Sequence, residues 1–168
     1  MNEDFSRFRD PLTNQALRKA KNALIDPEGE NYPIVASIPR FVLAENYAAD
    51  FGAQWNRFPR TQLDSYSGLS LSEERLARCL RGELIELRGQ RVLEAGSGAG
   101  RFTEVLLEHG ALLDSFDFSN AVEANAKNNG HRAFALAQAD IRAIPFPRGA
   151  YDYVICLGVL QITPDRLV

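Results

Sequence analysis

From Ser70 onward the chain switches repeatedly between helical and strand periodicity. Leu76, Leu80, Leu84 and Leu87 recur on one helical face, and Ser70 with Glu73 three residues later forms a capping-box signature, which predicts a helix of about four turns. A short apolar strand over 91–95 follows, then a glycine-rich turn, then Phe102, Val105 and Leu106 at helical spacing up to a stop at Gly110. Residues 112–117, 132–138 and 151–157 read as three further strands, with a helix capped by Ser119 or Asn120 and ending near Gly130 between the first two. Strands alternating with helices imply right-handed crossovers, so the expected fold is α/β with a doubly wound, mostly parallel sheet.

The upstream residues have a different texture. Pro11, Pro27, Pro33 and Pro39 interrupt residues 1–45, and the stretch 26–29 reads as a turn. Leu12, Ala16, Leu17, Ala20 and Leu24 suit a helix, whereas 32–36 suits a strand, and the pattern leaves this small leader module open between them. Residues 46–87 bring Tyr47, Phe51, Trp55, Phe58 and Tyr66 without a clean period, which predicts a packing cap followed by the helix described above. Residues 88–168 hold the sheet. Thr163 and Pro164 are a good helix start, but only about one turn follows them. Four strands also leave the apolar fourth strand as an uncovered edge. The expectation is therefore an incomplete sheet, finished by a missing C-terminal segment or a partner.

Composition narrows the classes. With 45% hydrophobic residues among 168, the chain can fill a core, and 19 basic against 22 acidic residues give a net charge of -3, which provides no general field toward nucleic acid. Cys79 and Cys156 are the only cysteines, too few for a disulfide framework or a cysteine-based zinc ribbon, so no metal is expected. The charged N-terminus has no signal-peptide core and no apolar run reaches the length of a membrane span, which predicts a soluble, cytoplasmic protein.

The turn Glu94, Ala95, Gly96, Ser97, Gly98, Ala99, Gly100 lies between a predicted strand and a predicted helix. Glycines there let the backbone approach a ligand, and the helix N-terminus offers unpaired N–H groups to a carboxylate or phosphate. The spacing is G-x-G-x-G, whereas the dinucleotide fingerprint is G-x-G-x-x-G. Glu94 ahead of the turn disfavours a pyrophosphate and welcomes an ammonium. Asp117, at the end of the second strand with Phe118 and Ser119 after it, is placed to accept from ribose hydroxyls. Asp140, past the third strand, is placed to accept from an adenine amine while Ile141 covers the ring. Each feature has a plainer structural reading, as a tight turn, a helix cap or a loop residue. Their coincidence at three successive strand ends favours a ligand, because open parallel sheets bind ligands there.

These residues resemble class I S-adenosylmethionine-dependent methyltransferases, in particular bacterial domains of the methyltransferase type 11 kind. Residues 92–102 look like the first motif, 117–119 the ribose-binding strand end, 138–140 the adenine-side acid, and 144–147 with 151–160 the loop and fourth strand, which places Leu157 beside the methionine part of the cofactor. The resemblance implies a Rossmann-like methyltransferase sheet and S-adenosyl-L-methionine held by Glu94, Ala95, Gly96, Ser97, Gly98, Gly100, Asp117, Phe118, Ser119, Asp140, Ile141 and Leu157. Residues 51–65 are similar to a segment preceding the core in a bacterial subgroup, and 32–41 look like the end of a zinc-ribbon-like leader that here lacks cysteines. Glu94 stands where Asp is common, Ser97 where Cys is common, and Ile162 where a His is expected.

The implied reaction is direct methyl transfer to a small-molecule acceptor, with no dedicated base required. His109, His131, Cys79 and Cys156 read as structural, so no catalytic residue is assigned. The aromatic segment is a candidate lid, with Trp55 or Tyr66 over the site and Arg57 or Arg60 toward an acidic substrate, against an ordinary packing role. Two other readings compete: a catalytically silent cofactor-binding or scaffold subunit, and a nicotinamide-dependent oxidoreductase. The glycine spacing, Glu94 and Asp140 disfavour the last.

Overall fold

The leader is a meander of short antiparallel strands: β1 (Arg18–Ala20), β2 (Ala23–Ile25), β3 (Asn31–Val35) and β4 (Ile38–Pro39), in that order across the sheet. The computed structural model describes residues 4–43, 49–81 and 84–162. The helical spacing in 12–24 is overridden by turn chemistry. Lys21 takes φ 49° between β1 and β2, and Ala36 and Ser37 take φ 52° and 63° between β3 and β4, giving tight turns whose twist matches paired strands. Leu24 and Ile38 are fully buried as a result. Among the described residues no cluster of three His, Cys, Asp or Glu side chains is placed to hold a metal.

The cap comprises α1 (Ala49–Arg57), α2 (Asp64–Ser67), α3 (Leu71–Cys79) and a 3-10 turn (Leu84–Leu87). The expected four-turn helix is thus divided. Helix α3 ends at Cys79 with Leu80 as its C-cap, and Arg81 takes φ 54°, so Leu84 and Leu87 reach the core from the separate turn. Ser70 makes no side-chain cap either. The Asp64 carboxylate, from α2, accepts the Ser72 N–H at 3.0 and 2.9 Å and the Glu73 N–H at 2.9 Å. Tyr47 and the Thr163, Pro164 helix start lie outside the described residues.

The second sheet contains β5 (Arg91–Ala95), β6 (Leu112–Asp117), β7 (Ala135–Gln138) and β8 (Tyr153–Ile155), all parallel, in the order β7-β6-β5-β8. Helices α4 (Arg101–Glu108) and α5 (Val122–Asn129) connect its first three strands. The third strand is shorter than its apolar run because Arg132 closes the end of α5, donating its N–H to the Asn129 carbonyl and its guanidinium to the Glu104 carbonyl. The fourth pairs only over 153–155.

Strand alternation sends Val92 and Leu113 to one face, where they pack with Leu76, Leu87, Val105 and Leu106. It sends Leu93, Ala95 and Phe116 to the other, where the leader covers them with Phe5 and Phe8 and with Phe146 from the later loop. Phe8 and Phe146 stack with ring centroids 5.2 Å apart. The leader also meets the β7 edge directly. Arg40 bridges to Gln138, the Phe41 N–H donates to the Gln138 carbonyl at 2.8 Å, and the Arg40 guanidinium reaches Gln138 Oε1 at 2.9 Å and Glu123 at 3.1 Å.

Candidate functional site

The carboxyl ends of β5, β6, β7 and β8 meet at the glycine turn. Gly96, Gly98 and Gly100 have φ of 85°, 52° and 91°, a region that side-chain-bearing residues rarely enter. The Gly96 and Ser97 N–H groups donate to the Phe116 carbonyl at 2.8 and 3.0 Å, and the Gly98 N–H donates to Asp117 Oδ2 at 2.8 Å. The turn is therefore bound to the end of the neighbouring strand. At Gly100 a side chain would collide with Asn125 and Asn129. At Gly98 an added Cβ would meet nothing nearer than Trp55 Nε1 at 3.8 Å, so the backbone there is bare toward an open space.

That space is a cavity of about 300 Å³. Of the residues expected from the sequence, it is lined by Gly96, Ser97, Gly98, Asp117, Phe118, Ser119, Asp140, Ile141 and Leu157. Gly100, Ala95 and Glu94 do not reach it. Gly100 starts α4 against the two asparagines, and Ala95 packs on the leader side.

Glu94 stands behind the turn at 2% exposure, with Oε2 accepting from the Thr103 and Ser115 hydroxyls at 2.5 and 2.8 Å and Oε1 without a partner. Burial, with the charge of Asp117 in the same sense, pushes its carboxyl up to about 7, although the two hydroxyls oppose that shift. Asp117 keeps both oxygens in play, Oδ1 accepting the Ser119 N–H and hydroxyl at 2.8 and 2.7 Å. Asp140 is held by Arg142 through both its N–H and its guanidinium, which keeps the carboxyl below its usual range.

The cap closes one side. Trp55 lines the cavity, whereas Tyr66 is exposed under the Arg60 guanidinium and Arg57 lies over Phe58. Asn128 joins cap to turn, donating to the Pro59 and Ala99 carbonyls at 2.8 Å each. His109 lies 2.9 Å from Glu73 on the helix side and does not line the cavity. Sequence reasoning missed Gln62, Arg75, Arg101, Phe102 and Val159 in the lining. Arg101 was within reach as the neighbour of Gly100. Arg75 carried no signal, because its position depends on how α3 packs on α4.

Residues 93–168 match the family described as Methyltransferase domain. A ubiquinone biosynthesis O-methyltransferase from Coxiella burnetii (strain Dugway 5J108-111) is 30% identical over 84 residues, covering 48% of this chain and 36% of that protein. A phosphatidylethanolamine N-methyltransferase from Cereibacter sphaeroides is 29% identical over 86 residues, covering 48% and 42%. The chain thus spans well under half the length of the curated relatives it matches. Among solved structures, a chain from Methanococcus maripaludis assigned as an S-adenosyl-L-methionine-dependent methyltransferase aligns with TM-score 0.55 at 17% identity, over 74% of this chain and 57% of that one. Magnesium protoporphyrin IX methyltransferase from Synechocystis PCC 6803 with bound SAH aligns with TM-score 0.50 at 23% identity, over 68% and 56%. The fold is therefore that of the Rossmann-like methyltransferases.

Proposed function

Because residues 93–168 match the methyltransferase-domain family, we propose that the chain binds S-adenosyl-L-methionine in the strand-end cavity and directs its methyl group to a small-molecule acceptor. The observation that carries this is the combination of a bare, positive-φ glycine at 98 with the Asp117 carboxylate hydrogen-bonded to it at one wall of the same cavity. A cradle of exposed backbone beside a carboxylate fits an amino-acid group attached to a ribose.

In this reading Asp117 accepts from the ribose hydroxyls with the lone pairs that Gly98 and Ser119 leave over. Asp140 and Ile141 border the adenine, Phe118 and Ser119 complete that wall, and Leu157 with the glycine turn borders the methionine end. Glu94, Ala95 and Gly100 act from behind by shaping the turn rather than by direct contact. When bound, the cofactor would supply an activated methyl group for transfer to the acceptor's nucleophile. The chain's own contribution is orientation and exclusion of water, with Trp55 covering the open side. The division into a leader (1–45), a cap (46–87) and a cofactor domain (88–168) belongs to the same proposal. So does a cytoplasmic location, supported by two free cysteines; among the described residues no helix is long and apolar enough to cross a membrane. Relatives named for ubiquinone biosynthesis and protoporphyrin IX support a small-molecule acceptor without identifying it.

The test is calorimetric titration with S-adenosylmethionine, S-adenosylhomocysteine and NAD. Binding of the first two, lost in Asp117→Ala, is expected. NAD binding alone would sink the reading.

A further inference from the structure

We propose that Arg75 and Arg101 form an anion subsite for the methyl acceptor, so that the acceptor is a small molecule carrying a carboxylate; this rests on the reading of the cavity as a methyl-transfer site. Both arginines line the cavity, and both come from its helical side rather than from strand ends. Arg101 opens α4, and Arg75 lies on α3, which packs against it. Their guanidinium carbons lie 4.8 and 5.8 Å from the centroid of the Phe102 ring, so one aromatic ring gathers two like charges.

Such a pair repels itself, and among the described residues no carboxylate pairs with it. Asp64, the acid whose charge reaches Arg101, has its oxygens committed to the Ser72 and Glu73 N–H groups. Arg101 places its Nε–H on the Ser72 hydroxyl at 3.2 Å, which orients the guanidinium without giving it an ion-pair partner. Burial and the Arg75 charge both work against the charged form of Arg101, a cost that a bound anion would relieve.

The charge balance of the cavity points the same way. Of the two lining carboxylates among the described residues, Asp140 is neutralised by Arg142, leaving Asp117 against two guanidiniums. A sulfonium cofactor adds a further positive charge. An acceptor with a negative group restores balance and meets a fork geometry suited to bidentate contact. A planar carboxylate matches that fork, one oxygen to each of two N–H donors. The arginines thus select the acceptor and position its nucleophile; they take no part in bond making.

Trp55 is the only tryptophan and lines the same cavity, so its emission reports occupancy. The experiment is a fluorescence titration of the full chain, saturated with S-adenosylhomocysteine, using benzoate and its neutral counterpart benzamide at low ionic strength. The expected result is benzoate binding at least about tenfold tighter than benzamide, reduced about tenfold in Arg75→Gln and in Arg101→Gln, with the affinity for S-adenosylhomocysteine unchanged. Equal affinity for the two probes, no benzoate binding, or benzoate binding indifferent to both substitutions would overturn the proposal. It would also fail if the variants lose S-adenosylhomocysteine but keep 5′-methylthioadenosine, since the pair would then serve the cofactor's own carboxylate. A wild-type chain that does not bind S-adenosylhomocysteine would overturn the methyltransferase reading itself, a result visible before any benzoate is added.

Discussion

Gly98 donates its N–H to Asp117 Oδ2 at 2.8 Å, so the carboxylate expected to read the ribose also holds the turn that cradles the ligand. In the proposed reading, structure and recognition share one side chain.

Asp117→Ala therefore removes a charge-assisted bond to Gly98 and the two contacts with Ser119, contributions of about 1.5–3 kcal/mol for a charged acceptor. The expected outcome is a fall in melting temperature together with at least about a tenfold loss of S-adenosylhomocysteine affinity by calorimetry. Asp117→Asn keeps an oxygen for Ser119 and should recover more of the stability than of the affinity. Equal recovery of both would show that affinity follows the turn alone, with no separate ligand contact by Asp117.

Glu94 predicts a pH dependence. Its carboxyl is raised from an ordinary 4.5 to about 7 by burial, so the folded state holds a proton that the unfolded chain has already released. Stability from this group is accordingly full below about pH 4.5 and declines as pH rises to about 7, by on the order of 3 kcal/mol. Glu94→Gln retains an acceptor for Thr103 and Ser115 and has no charge to bury. Its melting temperature relative to wild type should rise between pH 5 and pH 8; a constant difference across that range would show that Glu94 titrates normally.

Asp64, rather than Ser70, starts α3. Asp64→Ala should cost about 1 kcal/mol or more, a few degrees of melting temperature, whereas Ser70→Ala should leave it nearly unchanged. Thermal unfolding of the two variants side by side decides between a remote cap and a local one.

Asn128 is the polar tie between cap and turn, and Asn128→Ala leaves the Pro59 and Ala99 carbonyls without that donor. A loss of about 1–2 kcal/mol is expected, with faster S-adenosylhomocysteine release followed by Trp55 emission in a stopped-flow experiment. An unaltered release rate would mean that the cap does not gate the cavity.

The strands 91–95 and 112–117 were legible because each is a run of apolar residues between turn signals, and periodicity alone delimits such runs. The placement of the glycine turn and Asp117 at the cavity was legible for a related reason, since both lie in consecutive residues at strand ends. The leader was not. Leu12 to Leu24 fit a helix by spacing, and only the positive φ at Lys21 and the apolar contacts of Leu24 under the sheet decide for strands. The Ser70 cap failed similarly: its spacing was right, but a carboxylate six residues earlier reaches the same N–H groups through α2.

What this sequence determined by itself is the alternation of strand and helix, the position of the bare backbone, and the acid one strand over, because those depend on neighbours within a few residues. Tertiary contacts choose which side chains share the cavity. Glu94 falls behind the turn because its strand face points into the helix layer, where Thr103 and Ser115 receive it. Arg75 enters the lining because α3 packs on α4 in a phase set by Leu76, which is fully buried. Helix phase and strand face are settled by long-range packing, which no local pattern encodes.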